Sequence, residues 1–85
     1  MQVPMVGIDD ETCAAIRSAI ETQIPEATVQ VSGNGGHFEI SVTASAFAGK
    51  TPLAKQRMVY KAITPLMSGP TAPVHAVDRL DTLTP

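Results

Sequence analysis

The sequence predicts a small α/β (α+β) domain in the order α-β-β-α-α-β, with a three-stranded mixed sheet. Three observations predict it. Val29 and Val31 alternate with polar residues before a glycine-rich loop, and Phe38, Ile40 and Val42 do so after it, as in an antiparallel hairpin. Stretches with helical spacing flank that hairpin, and an extended stretch from Val74 to Leu83 ends the chain. A strand, a helix and a strand returning to one sheet make a right-handed crossover, so the third strand should run parallel to the second.

Eighty-five residues, 44% of them hydrophobic and 16% charged, suit a single domain over residues 1–85 with one thin core. A net charge of −2 is not the footprint of a strong nucleic-acid binder. One cysteine excludes an intramolecular disulfide and an all-cysteine metal site. With no apolar run near the roughly 20 residues of a membrane span and no leader pattern, the expected location is cytoplasmic.

Met1 to Gly7 is a short apolar lead, so residues 1–8 are expected to be flexible. Asp9 or Asp10 can cap the helix that follows, and Glu11 suits the positive end of its dipole. Cys13, Ile16, Ile20 and Ile24 form one stripe of a helix running to about Gln23, before Pro25 stops it. On that stripe Cys13 reads as a small buried hydrophobe rather than a reactive thiol, because activation needs a cationic neighbour.

Gly33, Asn34, Gly35 and Gly36 offer the positive-φ positions that the hairpin reversal demands. In Ser45-Ala46-Phe47-Ala48-Gly49-Lys50, Phe47 should anchor a corner to the core while Gly49 reverses the chain. Thr51 can cap a second long helix with Pro52 at its first position. Leu53, Ala54, Met58, Ala62 and the Val59/Ile63 pair give that helix a broad apolar face, and Pro65 should kink or end it. Lys50, Lys55, Arg57 and Lys61, four of the six basic residues, gather near its other side. Gly69-Pro70-Thr71-Ala72-Pro73 then forces a loop.

His37 opens the second strand and His75 the third. If those strands are parallel neighbours, about 4.8 Å apart, the two histidines of the chain share one end of the sheet, within range of a common site. Two imidazoles fall short of the three or four ligands of a closed zinc site, and Asp78 and Asp81 lie further along the strand. Either a partner completes a coordination sphere or there is no metal.

Gly36-His37-Phe38, Ser45-x-x-Phe47-x-Gly49-Lys50, Lys55-Gln56-Arg57-x-Val59-Tyr60 and Val74-His75-Ala76-Val77 followed by Thr84-Pro85 resemble the BolA family in order and spacing. The resemblance covers about residues 10 to 85 and is closer to the acid-stress branch, with Gln56 where many members carry the histidine of an R-H-R triplet. It implies a class II KH-like fold, with helices on one face of the sheet, and a non-enzymatic role in iron homeostasis or stress response. It further implies a monothiol glutaredoxin partner and a shared [2Fe–2S] cluster, to which the partner gives its cysteine and a bound glutathione. This chain would give His75 and a residue of the first hairpin loop. In that loop the nearest counterpart of the family ligand is Asn34, a poor iron ligand, which leaves His37 and predicts a more labile cluster.

The last strand is one residue longer than the family pattern. Val77 and Leu80 cannot share a face under strict alternation, so a bulge or early end is expected near Asp78-Arg79. A second function class is a DNA-binding transcriptional regulator using the basic helix, Lys50, Lys55, Arg57 and Lys61. Gly33-Asn34-Gly35-Gly36 matches the G-x-x-G phosphate clamp of KH domains, but it joins two strands rather than two helices. No local spacing sets a nucleophile beside a base, so catalysis ranks last. Homodimer formation stays open.

Overall fold

The computed structural model describes residues 8–85. The elements are α1 (Ile8–Gln23), β1 (Thr28–Asn34), β2 (His37–Thr43), a 3-10 turn (Ser45–Phe47), α2 (Pro52–Met67) and β3 (Ala76–Leu83). The loose lead expected over residues 1–8 lies, up to Gly7, outside the described residues, and Ile8 already belongs to α1. Asp9 and Asp10 therefore sit in the first turn of the helix, not at its cap.

The sheet has the order β1-β2-β3. β1 pairs antiparallel with β2, from Thr28 opposite Thr43 to Asn34 opposite His37, and β3 lies parallel to β2 as the crossover rule requires. Its core face is the predicted one. Val29, Phe38, Ile40 and Val42 are buried against Ile16, Ile20 and Ile24 of α1 and Val59, Ala62 and Ile63 of α2, while Gln30, Ser32, Glu39 and Arg79 are exposed on the other strand positions. Phe47, with no exposure, fastens the 3-10 turn to that core. Cys13 is half-buried and packs on the same cluster.

β3 starts at Ala76, two residues later than Val74, because β2 has already turned away at Gly36 and offers Val74 no ladder partner. The expected bulge is present. Phe38 pairs with Val77 but Glu39 pairs with Arg79, so Asp78 is extruded from the register. Skipping one residue returns Leu80 to the face of Val77, and both pack on the core.

Three local expectations are corrected. Asn34 does not take positive φ; Gly33, Gly35 and Gly36 do, and the reversal is a two-residue turn at Gly35-Gly36 with φ of 62° and 83°. Leu53 is 54% exposed, since six residues before Val59 is about 120° around the helix from it. Pro65 does not end α2, which continues to Met67: only the bond to the Lys61 carbonyl is forgone, and Leu66 and Met67 still pack on the core.

Thr51 caps α2 as expected, its Oγ1 accepting from Ala54 N at 3.1 Å with Pro52 in the first turn. Thr51→Ala should lower stability by about 1 kcal/mol. The midpoint of urea denaturation at unchanged slope measures this.

Candidate functional site

The site forms where the hairpin turn meets the start of β3. Val74 is buried, and its N–H donates to the Leu66 carbonyl at 3.1 Å, so α2 fixes the chain immediately before His75. The next two amides converge on one acceptor: His75 N and Ala76 N donate to the Gly36 carbonyl at 2.8 and 3.0 Å. His75 thus hangs from a backbone clamped on both sides, while the residue itself is exposed.

Gly36 makes room for that imidazole. It is buried, with φ of 83°, and a Cβ there would lie 2.7 Å from His75 Nδ1 and 2.8 Å from Cγ. The Nδ1 edge of the ring therefore lies over the bare glycine, and Nε2 is the edge that remains away from it.

His37 stands opposite Ala76 in the register, so the two histidines do come to the same end of the sheet. Its Nδ1 lies 3.2 Å from Asp78 Oδ1, with both side chains more than half exposed. Sequence reasoning placed Asp78 further along the strand; the bulge brings it to His37. The overlong β3 signalled a bulge but not which residue it would extrude toward the histidine. Asp81 stays apart and accepts from Arg79 Nε at 3.1 Å. Among the described residues, no group of three or more histidine, cysteine, aspartate or glutamate side chains could hold a metal ion.

On α2, Arg57 and Lys61 are exposed and Lys55 is half-buried; Lys50 is exposed just ahead of the helix. Tyr60, 37% exposed, and Leu53 interleave with them. No helix among the described residues is long and apolar enough to cross a membrane.

Residues 11–85 match the family model described as BolA-like protein. BolA-like protein 1 of Mus musculus is 30% identical over 74 residues, which are 75% of this chain and 52% of that protein. The chain thus spans about half the length of this curated relative. The structure of a BolA protein homologue from Coxiella burnetii superposes with a TM-score of 0.70 at 36% identity, covering 95% of this chain and 94% of that one. Yeast Fra2 is 28% identical with a TM-score of 0.64, over 85% of this chain and 77% of its own.

Proposed function

We infer the function from the premise that this chain belongs to the BolA family. It acts as a non-enzymatic adaptor that pairs with a monothiol glutaredoxin and holds a [2Fe–2S] cluster jointly with it, in iron homeostasis or a stress response. One observation carries the reading: His75 is exposed at the end of the sheet on a backbone clamped through Gly36 and Leu66, with its Nδ1 edge against Gly36 and its Nε2 edge away from that glycine. An imidazole so held is a preset ligand that no group of three or more metal-binding side chains among the described residues completes into a metal site.

The donor set suits a shared cluster rather than a closed site. His75 and His37 offer two imidazoles, and the thiolates must come from elsewhere, which is what a glutaredoxin cysteine and glutathione supply. A bound [2Fe–2S] group provides one-electron chemistry, at a potential raised where imidazole replaces thiolate. Asn34, the last residue of β1, offers only an amide, so His37 is the second ligand proposed. Localisation in the cytoplasm fits this partner.

The basic side of α2 serves docking in this reading. Lys55→Glu combined with Arg57→Glu should weaken the complex by about tenfold or more, at an unchanged far-ultraviolet spectrum. Titration calorimetry measures it, and equal affinity would remove α2 from the interface. The same exposed cations support the second reading, DNA binding, which differs by its salt response: affinity for a duplex should fall steeply with salt.

The functional test is to mix this chain with cluster-loaded monothiol glutaredoxin and separate the products by size. A one-to-one complex retaining iron and glutathione supports the adaptor. Two separate proteins, with iron only on the glutaredoxin, would refute it.

A further inference from the structure

The bulge in β3 has a chemical use. Asp78 is a true insertion in the ladder: Val77 and Arg79 pair with the consecutive residues Phe38 and Glu39, so the strand would keep its register and its core face without it. Its side chain instead meets His37, Oδ1 lying 3.2 Å from Nδ1. A carboxylate can only accept, so this contact is a hydrogen bond only when Nδ1 carries the proton. In the neutral imidazole the lone pair then stands on Nε2.

Folding gains little from such a pair, because both side chains are more than half exposed. Its consequence lies in the ring. A hydrogen bond to Nδ1 fixes both the tautomer and the rotation of the imidazole, as carboxylates do behind metal-bound histidines. His75 is restrained by other means, its Nδ1 edge lying against Gly36.

We propose that Asp78, the extruded residue of the β3 bulge, is the positioning residue of His37, holding its proton on Nδ1 and presenting Nε2 as the ligand nitrogen. This rests on the functional reading above. It adds a residue that no metal-ligand pattern in the sequence singles out, since Asp78 acts through His37.

The tautomer is measured on the chain alone, by long-range proton–nitrogen correlation spectra of the histidine rings at mildly alkaline pH. The wild type should show His37 as the Nδ1–H form. In Asp78→Ala it should pass to the Nε2–H form that free histidine favours, with His75 unchanged. Deletion of Asp78, which leaves a regular ladder, should do the same and guards against misfolding of the first variant. A wild-type His37 already in the Nε2–H form, or one unmoved in both variants, would overturn the proposal.

The second readout is cluster retention with a loaded monothiol glutaredoxin. Asp78→Ala should lower it by about tenfold or more, the size of effect seen when the partner of a metal-bound histidine is removed. Unchanged retention alongside a shifted tautomer would overturn the positioning role. Absence of any cluster complex with the wild type would instead refute the adaptor reading, a result distinct from either tautomer outcome.

Discussion

His75→Ala is expected to abolish the cluster-bearing complex while leaving the fold unchanged. The backbone bonds that hold this corner, from His75 N and Ala76 N to the Gly36 carbonyl and from Val74 N to Leu66, do not involve the imidazole. The exposed ring is not part of the core, so its removal leaves no cavity. What goes is the ligand. No other histidine, cysteine or carboxylate joins His37 and Asp78 in a set able to replace it among the described residues. Visible circular dichroism of the variant mixed with loaded glutaredoxin should equal the sum of the separate spectra. A retained signal of wild-type size would show that the ligand lies elsewhere.

Gly36→Ala should reach nearly the same loss without touching the histidine. Two effects combine. A residue with Cβ at φ of 83° is strained, by about 1–3 kcal/mol, which should lower the urea midpoint. The new methyl would also stand 2.7 Å from His75 Nδ1, and the ring is the part that can move, since the two backbone bonds fix the chain beneath it. Gly35→Ala separates the two effects. At φ of 62° with no atom within 4 Å of its Cβ, it should be destabilised by a similar amount yet keep the cluster. Equal cluster retention in both variants would contradict the seat assigned to His75.

The fold was legible where one residue property decides one outcome. Ile16, Ile20 and Ile24 are buried because a spacing of four keeps them on one side of a helix, and Phe38, Ile40 and Val42 because a strand alternates. Even the bulge could be read, since Val77 and Leu80 both needed the core and regular alternation denied it to one of them. The parallel placement of β3 followed from the helical crossover between β2 and β3, and with it the meeting of His37 and His75 at one sheet end.

Other features depend on contacts that spacing does not encode. Pro65 breaks a helix only where the next turn has nothing to hold it, and Leu66 and Met67 are held by the core. Asp78 was missed for a related reason. Sequence spacing puts it three residues past His75, whereas its partner is His37, 41 positions away and reached only through the extruded bulge. Gly36 looked like one of several turn glycines, but its distinct role as the seat of an imidazole required the third strand to be in place.

This chain is expected to contribute imidazole nitrogen to a cluster whose thiolates come from a partner. The direct measurement is pulsed electron paramagnetic resonance of the reduced complex with a monothiol glutaredoxin, using this chain alone labelled with nitrogen-15 at histidine. Strong hyperfine coupling to nitrogen-15 in the wild type, lost in His75→Ala, is the predicted result. A spectrum with no coupling to the labelled histidines, identical to that of the glutaredoxin by itself, would contradict it.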